Sequence, residues 1–174
     1  MSEKESPLAT DNIEIERKFI IERPEEELLR EYKFSEIIQT YLLSGPTVTH
    51  RVRQRTVDGV NTYTETKKLR IDRMSAIEDE REITRCEYEE LLRLADPGAT
   101  PICKRRYLIP MGELVLELDI YPRWKRTCVM EIELPSREVE VTFPSFIHIV
   151  KEVTGDKRYS NATMSRNFPE ELST

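Results

Sequence analysis

The chain of 174 residues carries 27 Lys and Arg against 33 Asp and Glu, a formal charge of −6. That length suits one domain with a sizeable core, and the acidic balance argues against the diffuse attraction behind non-specific nucleic-acid binding, so an anionic ligand must meet a local basic site. Charged residues make up 34% of the sequence, a high share for a chain with clear strand patterning, and some of that charge is expected to face something other than bulk solvent.

Met1 to Asp11 reads as a flexible leader without the apolar stretch of a signal peptide. Asn12 to Ile21 then alternates, with Ile13, Ile15 and Phe19 on one side and Glu14, Glu16 and Lys18 on the other, which predicts a strand. Pro24 to Tyr32 predicts a short helix with acids at its positive end, and Glu36 to Leu43 a second strand stopped by Ser44, Gly45 and Pro46. Thr47 to Thr56 and Asn61 to Ile71 flank Asp58-Gly59, a strong hairpin signal. Ala76 to Thr84 has Glu78, Glu80 and Glu82 at period two, and a helix from about Cys86 to Ala95 ends before Pro97 and Gly98. Thr100 to Ile109, Glu113 to Tyr121 and Thr127 to Leu134 continue as a meander, and Pro144 to Val153 has the spacing of a terminal amphipathic helix. About eight strands with few helices predict a mainly antiparallel fold closed into a barrel, since closure removes the sheet edges. The expected organisation is a single domain over 12–166 followed by a loose tail over 167–174.

Cys86, Cys103 and Cys128 are widely spaced and include no Cys-x-x-Cys pair, so neither a disulfide framework nor a structural zinc site is expected. No apolar run approaches the roughly 20 residues of a membrane span. A soluble cytoplasmic protein without nucleic-acid or membrane partners, monomeric or homodimeric, is the expectation.

Alternating charge on a strand ordinarily marks a solvated sheet face. Here the signs are segregated strand by strand: acids at Glu80 and Glu82, Glu117 and Asp119, and Glu131 and Glu133, against bases at Arg51 and Arg53, and Lys104 and Arg106. Turned inward, these faces would hold more charge than a dry core tolerates, since an uncompensated buried ion costs several kcal/mol. Such a lumen must be wet and occupied. Clustered carboxylates suit Mg²⁺ or Mn²⁺ and clustered bases suit phosphate oxygens, and a polyphosphate with its metal needs both.

Glu14-Ile15-Glu16-Arg17-Lys18 resembles the Glu-x-Glu-x-Lys signature of CYTH domains, the triphosphate tunnel metalloenzymes. Arg51-Val52-Arg53, Thr66-Lys67-Lys68, Glu80-Arg81-Glu82, Lys104-Arg105-Arg106, Glu117-Leu118-Asp119 and Glu131-Ile132-Glu133 resemble that family's later motifs in order. The resemblance runs from about Asn12 to Arg158-Tyr159-Ser160-Asn161. It implies an eight-stranded antiparallel tunnel that hydrolyses or cyclises triphosphates with Mg²⁺ or Mn²⁺. By similarity Glu14, Glu16, Asp119, Glu131 and Glu133 are metal ligands, and Lys18, Arg51, Arg53, Lys68, Lys104 and Arg106 contact phosphate. Catalytic roles fall to Lys18, near the transferred phosphoryl group, and to Glu80 and Glu82, which match a pair serving a second metal or positioning water.

The third motif departs from the family, with Lys67 between Thr66 and Lys68 and Leu69 where Gly is usual. Either lysine could face the lumen, and parity with Thr66 favours Lys68. Arg55 and Arg70 share the inward parity near strand ends, where solvation is as good a reading. His50 is expected outside, Trp124 in packing, and Arg158 is a weak candidate for the tunnel mouth.

The leading expectation is hydrolysis of inorganic triphosphate or a short polyphosphate. The alternatives are a CYTH-type adenylyl cyclase, for which the usual His-Phe pair before the acidic motif is missing, a thiamine triphosphatase, and a non-catalytic polyphosphate-binding module.

Overall fold

The computed structural model describes residues 13–174. The expected leader lies outside the described residues. The chain forms β1 (Ile13–Glu22), α1 (Glu26–Leu29), β2 (Lys33–Tyr41), β3 (Val48–Val57), β4 (Val60–Arg70), β5 (Ser75–Ile83), α2 (Arg85–Leu91), β6 (Ile102–Met111), β7 (Leu114–Ile120), β8 (Thr127–Leu134), β9 (Ile149–Glu152) and α3 (Asn161–Met164). Hydrogen bonding runs β5-β4-β3-β2-β6-β7-β8-β1 and returns to β5 through Ile13↔Ile77 and Ile15↔Ser75, so eight antiparallel strands close into a barrel.

Local chemistry accounts for the individual elements. In the β3–β4 hairpin, Asp58 and Gly59 take φ of 49° and 79°, the two left-handed residues that a turn matching the strand twist requires. The flanking strands are rich in Val, Thr and Tyr, whose branched or aromatic side chains suit a pleated surface. At α2, Thr84 Oγ1 accepts the Glu87 amide while the Glu87 carboxylate accepts the Thr84 amide, a reciprocal cap.

Two expected helices differ from the structure. The stretch over 24–32 yields a single turn, and 144–153 forms no helix but ends in β9, paired with β1 through Phe19↔Glu152 and Ile21↔Ile149. β5 leaves β1 after Ile15, which exposes a row of backbone groups in the middle of the wall, and β9 satisfies them. The apolar spacing that mimicked a helix belongs to a coil whose Phe143, Phe146 and Ile147 pack over the barrel exterior.

Three apolar clusters place the core outside the lumen and at one end of it. Phe19, Ile21, Leu116, Leu118, Met130 and Ile132 face outward beneath the 135–148 coil and α1, and each fully buried aliphatic side chain contributes about 1.5–3 kcal/mol relative to exposure. Leu42, Val52, Ile83 and Tyr88 seat α2. Ile20, Tyr41, Ile102, Tyr121, Trp124, Val129, Tyr159 and Met164 form the third cluster, where inward parity turns from charged to apolar. Residues 167–174, read from sequence as a loose tail, lie against this cluster: Phe168 packs edge-on to Tyr121 and Trp124, Trp124 Nε1 donates to the Pro169 carbonyl, and the Glu171 carboxylate accepts the Thr127 amide at 2.8 Å. Among the described residues no helix is long and apolar enough to cross a membrane.

Candidate active site in the barrel lumen

The barrel encloses a cavity of about 1290 Å³ lined by the charged faces of its strands. Cross-strand register assembles them: Glu16 opposes Glu133, Lys18 opposes Glu131, Glu131 opposes Glu117, Gln39 opposes Arg53, Arg51 opposes Thr66 and Lys68 opposes Glu78. Directly opposed side chains start about 4.5–5.5 Å apart, so each register pair is brought together on the inward face of the wall.

The basic residues differ in how fully carboxylates compensate them. Lys18 Nζ lies 2.7 Å from Glu131, Arg51 2.9 Å from Glu78, and Lys68 2.9 Å from Glu78 and 3.2 Å from Glu14. Arg106 contacts Asp119, Glu117 and Glu131 together. Among the described residues the one carboxylate paired with Arg53 is Glu80, at 3.8 Å, and burial together with the neighbouring Arg51 and Arg106 charges lowers its guanidinium to about 10. Arg55 also lines the cavity, and its buried Nε has no hydrogen-bond partner among the described residues. The β3 wall therefore carries unspent positive charge.

The acids show the opposite imbalance. Burial, the Glu78 charge and the Glu133 charge outweigh Lys68 and raise Glu14 to about 7. Burial and then Glu117 likewise push Glu133 upward. Against the upward effect of burial, Arg51 and Lys68 hold Glu78 below the usual carboxylate range, and Lys18 and Arg106 hold Glu131 well below it. The unspent negative charge sits on the β1 and β8 side, at Glu14 and Glu133.

The structure brings Glu14, Glu16, Lys18, Arg51, Arg53, Lys68, Glu80, Arg106, Glu131 and Glu133 to the cavity, and Lys68 rather than the exposed Lys67 points inward. Three candidates are not brought there. Asp119 and Lys104 have no exposed side-chain surface and are spent on each other, with Arg106 as second partner to Asp119. Burial and the Arg106 charge lower the Lys104 ammonium to about 8. Glu82 has inward parity but lies exposed toward the end of β5, opposite Thr64. The acid that belongs with Glu80 is Glu78, which the period-two pattern of β5 contained. Arg55, Arg70 and Glu117 are further cavity residues to which no role was assigned, all three readable from strand parity, whereas Gln39 and Tyr41 gave no signal. His50 faces outward on Glu65, Trp124 is 2% exposed within the core, and Arg158 is exposed on Asp156.

Glu14, Glu16 and Glu133 are oxygen donors of the kind Mg²⁺ and Mn²⁺ take, and the raised Glu14 and Glu133 carboxyls are groups whose like charges a divalent cation would relieve. Among the described residues no three Asp, Glu, His or Cys side chains already converge as a cation cage. Glu14, Glu16 and Glu78 instead spread around the Lys68 ammonium, which an entering ion would displace or share. The donor chemistry fits a divalent cation.

No protein-family model and no curated protein matches the sequence. Solved structures do. The inorganic triphosphatase NE1496 is 26% identical, with 90% of this chain and 97% of that chain aligned at a TM-score of 0.58. PH1819 from Pyrococcus horikoshii OT3 shares the fold at 24% identity over 72% of this chain and 79% of that one, TM-score 0.55. So does HpAC1 from Hippeastrum, a putative adenylyl cyclase described as having a dominant triphosphatase activity, at 14% over 71% and 81%, TM-score 0.51. The chain has the CYTH triphosphate tunnel fold. In this tunnel fold the strands expected from the paired motifs form the wall, and their charged faces form the lining.

Proposed function

We propose that this protein hydrolyses inorganic triphosphate, or a short linear polyphosphate, with Mg²⁺ or Mn²⁺ bound in the tunnel. The observation that carries the reading is the division of unspent charge, with Arg53 and Arg55 on one wall and Glu14 and Glu133 on the other. A polyphosphate with its counter-cation is a ligand that satisfies both. The likeness to an inorganic triphosphatase at 26% identity supports the same reaction class. Tyr41 is the single aromatic side chain lining the described tunnel, which favours an inorganic chain over a nucleotide or thiamine ester, whose rings gain from stacking.

In this reading Glu14, Glu16 and Glu133 hold the cation. A bound divalent ion supplies neutralisation of phosphate oxygens and polarisation of the phosphoryl group. Arg51, Arg53 and Arg106 grip non-bridging oxygens, the planar guanidinium matching two oxygens at once. Lys18 and Lys68 add point charges near the acidic wall. Positioning and charge neutralisation supply most of the rate in phosphoryl transfer. Glu80, 3.8–3.9 Å from Arg53 and Arg51 and held by the Thr66 hydroxyl at 2.7 Å, is the carboxylate suited to accept a proton from the attacking water. Water attacks the terminal phosphorus, the bridging P–O bond breaks, and orthophosphate and pyrophosphate leave. The three cysteines carry free thiols, which fits a reducing, cytoplasmic compartment.

The test is phosphate release and cyclic-nucleotide formation from inorganic triphosphate, ATP and thiamine triphosphate with each metal. Triphosphate is expected to be the best substrate. If triphosphate raises the melting temperature but no phosphate appears with either metal, the protein is a binding module and the hydrolase reading is lost.

A further inference from the structure

Gln39 is 0% exposed and sits on β2 as the direct cross-strand partner of Arg53. Its Oε1 accepts from Arg53 Nε at 3.3 Å and from Nη2 at 3.2 Å, and its Nε2 donates to Tyr41 Oη at 2.7 Å. The two guanidinium donors demand the carbonyl end of the amide, so the other end goes to the tyrosine. A buried glutamine with both ends engaged across two functional elements is more specific than core packing requires.

We propose that Gln39 is a positioning residue for Arg53, a neutral acceptor that aims the guanidinium into the tunnel without neutralising it. Lys18, Arg51, Lys68 and Arg106 are each oriented by a carboxylate within 3 Å, with which a phosphate must compete. Arg53 is oriented by an amide, with its nearest carboxylate at 3.8 Å. An amide carbonyl stabilises a desolvated guanidinium less than a carboxylate does, and that shortfall leaves Arg53 with more to gain from an incoming anion than these four carboxylate-paired bases. Tyr41 completes the device by fixing the amide from behind. This rests on the triphosphate reading above, because the guanidinium must have an anionic substrate to meet.

The experiment compares wild type, Gln39→Glu, Gln39→Leu and Tyr41→Phe for KM and kcat with inorganic triphosphate and Mg²⁺, and for the triphosphate-induced rise in melting temperature. Gln39→Glu keeps the shape but pairs off Arg53, and KM should rise about 10- to 100-fold with a smaller change in kcat, the scale of losing one charge-assisted contact. Gln39→Leu leaves the charge but frees the guanidinium, with KM up about 3- to 10-fold, and Tyr41→Phe should raise it about 3-fold. A purely structural glutamine gives the reverse order, with Gln39→Glu close to wild type and Gln39→Leu worst, and that order overturns the proposal. Should Gln39→Glu prove too unstable to assay, wild-type KM in both Gln39→Leu and Tyr41→Phe overturns it equally. Absence of triphosphate binding and cleavage by the wild type overturns the functional reading itself and this inference with it.

Discussion

Lys68 Nζ stands 3.2 Å from Glu14 and 2.9 Å from Glu78, a single ammonium that bridges carboxylates on the two strands of the seam that closes the barrel, with Glu16 farther off at 3.9 Å. It does not compensate them equally. Glu78 also has Arg51 and stays ionised easily, whereas burial and the charges of Glu78 and Glu133 leave Glu14 raised to about 7. A barrel that closes through such a contact leaves one carboxylate less well compensated than the other.

Glu14→Gln is therefore expected to leave the melting temperature of the metal-free protein near neutral pH unchanged or slightly higher, because the fold disfavours the ionised form it removes. Triphosphate hydrolysis should fall at least about 10-fold with the loss of one oxygen ligand, and titration with Mn²⁺ should show a smaller thermal shift than in wild type. A variant that loses stability without losing the Mn²⁺-induced shift would contradict the assignment.

Glu78 contributes to the pH dependence of the lining in the same direction as Glu131, while the raised Glu14 and Glu133 act in the opposite one. The folded value of Glu78 lies below the unfolded one, so its stabilisation is complete above the ordinary carboxylate range of about 4.3 and drains away as pH falls through the folded value. Chemical denaturation measured between about pH 7 and about pH 3 should show stability falling toward acid. Gln at this position should flatten that slope, while lowering stability at neutral pH by about 3 kcal/mol because Arg51 and Lys68 lose a buried partner.

Asp119 is fully buried between Lys104 and Arg106 and belongs to the wall rather than the open lumen. Asp119→Asn should destabilise the protein by about 3–5 kcal/mol, the scale for leaving a buried charge unpaired. The same variant, assayed at a temperature where it is folded, should keep the Mn²⁺-induced thermal shift. Loss of that shift would return Asp119 to the metal-ligand set.

Gly155 approaches the β4–β5 connection closely. It has a φ of 72°, and a Cβ there would lie 2.0 Å from Arg73 Cγ and 2.9 Å from the Arg73 carbonyl oxygen. Gly155→Ala combines left-handed strain of about 1–2 kcal/mol with this overlap, and it should displace the Arg73 Nε to Thr154 carbonyl bond of 2.7 Å. A drop in melting temperature is the readout.

Much of the site was legible as parity. Glu14, Glu16 and Lys18 on one strand and Arg51 and Arg53 on another share a face because the side-chain period of a strand is two, and the segregation of sign implies a wet lumen. Where parity failed, the reason was position along the strand. Glu82 and Glu78 have the same parity, but β5 carries Glu82 out toward its end and brings Glu78 beside Lys68. Asp119 shares parity with Glu117 yet lies deeper, where the lining gives way to the buried Ile20 and Tyr121 cluster.

The sequence by itself determined the strand faces, the signs they carry and the hairpin at Asp58-Gly59, because these depend on local geometry and nearest neighbours. Stagger between strands, the capping of the β1 edge by β9, and the docking of residues 167–174 were decided only by the closed barrel. Those features follow from where backbone groups are left unpaired and where apolar surface remains uncovered once the sheet has closed, and both are properties of the whole wall. The pairing of Arg53 with an amide rather than a carboxylate is of the same kind, since register across β2 and β3 chose Gln39 as its partner.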